Sequence, residues 1–271
     1  MLKMKYDFSR AIPELRSAIM FITIIPAGKN VPFSPTGMIR FFPVVGLIIG
    51  ALLICADTVG SLFWSAPVVA LIDVLVLVIL TGAFHLDGLG DAADGLFSHR
   101  SKERALEIMK DSRTGMMGLV AIFLSLAVKV AGIYSVKILP YGADVFLSNS
   151  TQNFFINFHN AAILLIIPSY SRASMLFGIR YFKYGRDKGT GYDLFEKRLP
   201  FEDFIFLLIP VLISLTLGIK CLIINGIFAL TVFLIILFYK KKMGCITGDM
   251  LGAMCEVTES ILFLFAGMAI I

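Results

Sequence analysis

Charge is scarce in this sequence: Asp, Glu, Lys and Arg supply only 16% of its 271 residues, against 58% hydrophobic residues and a mean hydropathy of +0.88. A water-soluble domain carries about a quarter of its residues as charges, so the scarcity excludes an ordinary globular enzyme and makes lipid the natural solvent. Clustered histidine and paired cysteine are missing as well. Of the 4 Cys, Cys55 and Cys221 lie inside apolar runs, while Cys245 and Cys255 are too far apart for the Cys-x-x-Cys spacing of zinc or redox sites. All four read as buried thiols. No stretch is polar enough for a separate soluble domain, and no fixed period recurs, which argues against a repeat-built transporter. The apolar run at 18–25 is short, follows Glu14 and Arg16 and stops at Pro26, so it reads as an interfacial helix rather than a signal peptide.

What the sequence does have is apolar length. A spanning helix needs about 20 apolar residues, and seven stretches approach that: 41–64, 66–84, 116–138, 160–182, 202–218, 221–239 and 250–271. The fold expected is all-α, a polytopic membrane helical bundle of seven transmembrane helices plus interfacial helices, forming one integral membrane domain over 1–271. The formal charge of +5 then marks cytoplasmic loops rather than nucleic-acid binding. Arg10, Arg16, Lys29 and Arg40 precede the first stretch, Arg100, Lys102, Arg104, Lys110 and Arg113 follow the second, Lys183, Arg186, Lys188, Lys197 and Arg198 follow the fourth, and Lys240, Lys241 and Lys242 follow the sixth. The connection at 140–159 has no Lys or Arg. This alternation places the N-terminus inside and the C-terminus outside, with segments 85–115, 183–200 and 244–259 sharing the cytoplasmic face of the cell membrane. A sequon match at Asn149-Ser150-Thr151 is assigned no role.

That face holds the chemistry. Asp87, Asp91 and Asp94 are spaced by four and three residues and share one side of a helix. Three carboxylates so close repel one another unless a cation neutralises them, and magnesium suits a few carboxylates with waters and substrate phosphates, where zinc calls for His or Cys. The bland alternative is a solvated helix end, against which stand Gly88, Gly90 and Gly95 and the apolar flanks, since idle charge at a membrane boundary is costly. His85 is nearby but alone.

Ser101 is a plausible N-cap for a short interfacial helix whose apolar face is Ala105, Leu106, Ile108 and Met109. Its polar side, with Arg104, Lys110 and Arg113 followed by Gly115 and Gly118, suits an anionic substrate such as a diphosphate, or equally anionic lipid headgroups. Asp249, Glu256 and Glu259 lie in the last apolar stretch, where acids face a bundle interior as metal ligands, base or partners of a basic residue. Arg172 and Lys129, within the fourth and third stretches, suggest a counter-ion or a substrate phosphate, with Arg172 the better phosphate candidate and Lys129 equally able to pair with a structural acid.

Taken together, His85-Leu-Asp-Gly-Leu-Gly-Asp-Ala-Ala-Asp-Gly95, Glu103-Arg-Ala-Leu-Glu-Ile-Met-Lys-Asp-Ser-Arg-Thr-Gly-Met-Met-Gly118 and Thr247-Gly-Asp-Met-Leu-Gly-Ala253 resemble the cobalamin synthase family, adenosylcobinamide-GDP ribazoletransferase. Ile24-Ile25-Pro26 and Phe41-Phe-Pro-Val-Val-Gly46 extend the resemblance over essentially the whole chain. It implies a membrane enzyme of cobalamin biosynthesis. Such an enzyme joins adenosylcobinamide-GDP to α-ribazole or α-ribazole 5′-phosphate and releases GMP, with Mg2+ as cofactor. Carried onto this chain, it implies metal binding by Asp87, Asp91 and Asp94, and catalysis by Asp87 and by Asp249 as base or second ligand. It implies substrate binding by His85, Arg100, Arg104, Lys110, Arg113, Arg172 and Glu256. The partners implied are these small molecules and membrane lipid, with self-association allowed and no nucleic acid. Asp91-Ala-Ala-Asp94-Gly95 also partly resembles CDP-alcohol phosphotransferases, but Ser98-His99-Arg100 follows and their acidic tail is absent. An ion or proton transporter using the buried acids would spread its functional charges across the bilayer midplane.

Overall fold

Backbone amides in hydrocarbon have to be bonded within their own segment, which leaves helices as the way for apolar runs such as these to cross. A computed structural model describes residues 8–111, 113–138, 149–189 and 191–268, with backbone alone at 8, 9 and 149–157. The helices are α1 (Phe8–Ile22), α2 (Pro35–Met38), α3 (Phe42–Gly60), α4 (Ala66–Leu80), α5 (Phe84–Leu96), α6 (Lys102–Ile108), α7 (Met116–Ile138), α8 (Asn149–Tyr181), α9 (Leu208–Ser214), α10 (Ile219–Lys242) and α11 (Gly248–Ala266). Among the described residues the only extended pairing is a single parallel bridge between Tyr184 and Ile246. The side chains of the sequon at 149–151 and the connection at 139–148 lie outside the described residues.

Four segments are long and apolar enough to cross a membrane: Pro35–Gly60, Met116–Ile138, Phe158–Tyr181 and Ile219–Lys242. A fifth is added if α4 and α5 count as one span bent by 88°. Three of the seven expected spans therefore look different in three dimensions. The 66–84 stretch stops at Leu80, because Gly82 and Ala83 both take left-handed conformations (φ +58° and +57°) and turn the chain sharply into α5. The 202–218 stretch is broken into a 3-10 turn (Phe201–Leu207), the seven-residue α9 and another 3-10 turn (Leu215–Leu217). Pro210 has no N–H to give the carbonyl of Phe206, so the α ladder cannot run through. The last stretch becomes α11, which carries Asp249, Glu256 and Glu259 and is buried along most of its length.

α11 is the hub. It packs on α5, α7, α8 and α10, while α3 lies along α8. α6 has the cap and the apolar face its sequence predicts: the Ser101 hydroxyl accepts the N–H of Arg104 at 3.4 Å, and Ala105 and Met109 are buried. Of the four cysteines, Cys221, Cys245 and Cys255 are buried but Cys55 is exposed on α3, against expectation.

Candidate active site at the α5–α11 crossing

α5 and α11 cross where neither has a side chain. A methyl on Gly88 would sit 2.9 Å from the carbonyl oxygen of Asp249, and one on Gly252 would sit 3.1 Å from that of His85. Only glycine at both positions lets the backbones meet this closely. The contact brings Asp249, in the first turn of α11, alongside the α5 face that bears Asp87 and Asp91. Thr247 caps α11 by accepting the N–H of Met250 at 3.2 Å, and its hydroxyl also reaches Asp249 Oδ2 at 3.4 Å. The same Oδ2 accepts from Arg186 Nη2 at 2.5 Å, and that nitrogen also donates to the Met109 carbonyl at 3.1 Å. One guanidinium thus ties the end of α6, the loop after α8 and the start of α11 together.

The three α5 carboxylates have different fates. Asp87 is exposed and Asp91 half-buried, each without a hydrogen bond or ion pair among the described residues. Asp94 is engaged, its two oxygens accepting the backbone N–H groups of Gly115 and Gly118 at 2.6 and 2.8 Å. It anchors α5 to the start of α7. Gly115 and Gly118, read from sequence as suited to a substrate anion, hold this internal carboxylate instead, and a methyl on either would lie 2.5 Å from it. Among the described residues no group of three or more His, Cys, Asp or Glu side chains is placed to hold a metal ion.

The basic candidates divide by depth. Arg100 and Lys110 are exposed, and their side chains have no ion pair or hydrogen bond among the described residues. Arg104 pairs with Glu107 and Arg113 with Asp111, each at 2.6 Å. Hydrogen bonds from the Arg113 side chain and its backbone N–H hold the Asp111 carboxyl well below the usual range, at about 2. Arg172 and Glu256 are both engaged inside the bundle, in the roles of counter-ion and of partner to a basic residue that the sequence reading left open beside substrate binding. Lys129 Nζ donates to Glu256 and Glu259 at 2.6 Å each, Arg172 pairs with Glu259, and Ser171 donates to Glu259 at 2.9 Å. Two cations and two carboxylates, nearly inaccessible, thus neutralise one another where α7, α8 and α11 meet. His85 is also buried, with no hydrogen-bond partner for either ring nitrogen among the described residues.

A family profile for cobalamin-5-phosphate synthases matches residues 14–267. The chain belongs to that family. It is 35% identical to the adenosylcobinamide-GDP ribazoletransferase of Alkaliphilus metalliredigens over 97% of this chain and 96% of the relative. The enzymes of the same name from Roseiflexus sp. and Caldanaerobacter subterraneus subsp. tengcongensis are 32% and 34% identical, covering 89% and 92% of this chain and 84% and 95% of theirs. No solved structure matches the chain.

Within this cobalamin-5-phosphate synthase family member, sequence reasoning missed one residue at the crossing. Arg186 counted only as one of several loop cations, yet it touches Asp249 directly. A clue was present in the short loop from Lys183 to Lys188, whose cations follow a long helix at the face already holding the acids. Nothing in the spacing says which of them turns inward.

Proposed function

We propose that this chain transfers the cobinamide phosphate of adenosylcobinamide-GDP to the hydroxyl of α-ribazole or its 5′-phosphate, releasing GMP and completing the cobalamin nucleotide loop. The observation that carries the reading is the α5–α11 crossing, where unpaired Asp87 and Asp91 stand beside an Asp249 already oriented by Arg186 and Thr247. Displacement at a diphosphate requires a hydroxyl that loses its proton and an anionic leaving group whose charge is neutralised. Asp249 takes the proton in this scheme. A diphosphate arriving at Arg186 competes for the guanidinium, which grips the phosphates and frees the carboxylate to act as base.

Magnesium is the cofactor of this proposal. Asp87 and Asp91 fit it: they are unpaired hard-oxygen donors one helical turn apart, and magnesium is commonly held by one or two carboxylates with waters and substrate phosphates making up the rest. Asp94, with both oxygens accepting backbone N–H groups, is assigned to holding α5 in place. When bound, the ion neutralises charge on the diphosphate. Arg100, Arg104, Lys110 and Arg113 line the approach as a cationic rim.

The protein is proposed to sit in the cell membrane with this site facing the cytoplasm, α11 and the 202–218 segment completing seven crossings. The acids of α11 do not weigh against its crossing, because they are sequestered from lipid by Lys129, Arg172 and Arg186. The deciding experiment is GMP release from GDP-cobinamide plus α-ribazole, run beside CDP-diacylglycerol plus an alcohol. Turnover of the first pair alone, abolished by excess chelator and restored by magnesium, is the result expected. Turnover of the second pair alone overturns the assignment, and undiminished turnover in chelator removes the metal.

A further inference from the structure

A cavity of about 820 Å³ lies at the end of α8 and is walled by the segment that follows it and by the turn at Gly244. Four cations line it, Arg180, Lys183, Lys197 and Arg198, against the single acid Glu196. The side chains of Lys183, Lys197 and Arg198 make no ion pair or hydrogen bond among the described residues, and the guanidinium of Arg180 stacks on Phe201 at 4.2 Å while its buried Nε has no hydrogen-bond partner among them. Exposed lysines on a convex surface need no explanation, but cations of one sign converging on a concavity with low-dielectric walls focus a positive potential inside it. Those walls are aromatic. Tyr184 stands between Tyr192 and Phe195, at ring-centroid distances of 5.9 and 5.1 Å.

Position ties the cavity to the crossing. Lys183 and Tyr184 line it, and Arg186, two residues further along, holds Asp249. Fully extended chain spans at most about 3.6 Å per residue, so at most roughly 7 Å of backbone separates cavity wall and acid cluster. The bridge between Tyr184 and Ile246, with Gly185 N–H donating to the Ile246 carbonyl at 2.8 Å and Ile246 N–H to that of Lys183 at 3.1 Å, fixes that spacing.

We propose that this cavity binds the guanosine diphosphate end of the activated substrate. The phosphate next to guanosine lies among Arg180, Lys183, Lys197 and Arg198, and the base stacks on the Tyr184–Tyr192 wall, which points the second, cobinamide-bearing phosphate towards Arg186. The ligand class follows from the two kinds of surface together, since cations alone fit any phosphate but an aromatic wall adds recognition of a base. The inference rests on the reaction proposed above for its choice of nucleotide.

The test is equilibrium binding of GDP, without α-ribazole, to the full chain in phosphatidylcholine nanodiscs. Saturable binding is expected, weakened about tenfold or more in Lys197→Ala/Arg198→Ala and tightened in Glu196→Gln, a gain that misfolding does not mimic. Tyr192→Ala should weaken GDP about tenfold and leave inorganic pyrophosphate unchanged, because only the nucleotide stacks. Equal GDP affinity in all variants overturns the site. So does replacement of phosphatidylcholine by phosphatidylglycerol abolishing GDP binding to the native chain, which would make the occupant a lipid headgroup. Failure of the site and of the reaction are separable. GMP release with unaltered GDP affinity and KM in the variants sinks the cavity alone, whereas variant-sensitive GDP binding without GMP release sinks the reaction alone.

Discussion

Asp87, Asp91 and Asp94 are the same chemical group on one short helix, and their surroundings give them different work. The spacing made their shared helix legible, because periods of three and four put side chains on one face. It could not reveal that Asp94 would be taken by two backbone N–H groups more than twenty residues away, since that depends on how α7 docks. The difference is measurable. Asp87→Asn and Asp91→Asn should each lower kcat by at least about a hundredfold, the loss of a charged group acting in the transition state, with no change in thermal midpoint. Asp94→Asn places an amide NH2 where one oxygen accepts a backbone N–H. It should cost about 1–3 kcal/mol of stability, seen as a lower midpoint in nanodiscs. If Asp94→Asn melts like the native protein while the other two are destabilised, the roles have been assigned backwards. Arg186 was hidden for the same reason as the partner of Asp94: a loop cation gives no sign in sequence of where it will be held.

At the scale of elements, helix existence was readable and helix continuity was not. Apolar length located α3, α7, α8 and α10, but hydropathy is blind to Pro210 and to the left-handed pair Gly82–Ala83, which break or bend stretches of equal apolarity. It also left the cations inside the bundle open between counter-ion and substrate contact, because a lone Arg172 in an apolar run suits either until Glu259 arrives from another helix. Lys129, Arg172, Glu256 and Glu259 form a neutral set joining α7, α8 and α11, and such a set is sensitive to losing one member. Lys129→Met leaves two carboxylates facing one guanidinium and should destabilise the bundle by about 3–5 kcal/mol. The paired change Lys129→Met/Glu256→Met, which restores neutrality, should recover a good part of it. Thermal unfolding of both variants decides, and equal midpoints for the single and double changes would show that neutrality is not what matters. The crossing itself is tested by Gly252→Val, whose branched side chain must push His85 and Gly88 of α5 away from α11. GMP release should fall at least tenfold, since misplacement of a site by about 1 Å is enough for a larger loss.

For the whole molecule the question is which ends of the helices lie together, and three connections distant in sequence answer it. Arg186 in the loop after α8 donates to the carbonyl of Met109 just beyond α6 and to Asp249 at the start of α11, and α11 begins within a few residues of the Lys240–Lys242 end of α10. Three of the four basic segments that the alternation of Lys and Arg assigned to one side thus meet at one end of the bundle. Their common side is open to direct chemistry. In a background with the four native cysteines replaced by serine, Lys102→Cys, Lys188→Cys and Lys241→Cys should all react with a membrane-impermeant maleimide in inverted vesicles and stay unlabelled in intact cells. Leu62→Cys, in the short turn between α3 and α4, should do the reverse. A split among the three lysine positions would mean that the loops do not share a face, and neither the Arg186 bridge nor a cytoplasmic site built on it could then stand. Uniform labelling from outside would preserve the bridge but move the site to the other leaflet, away from cytoplasmic nucleotide.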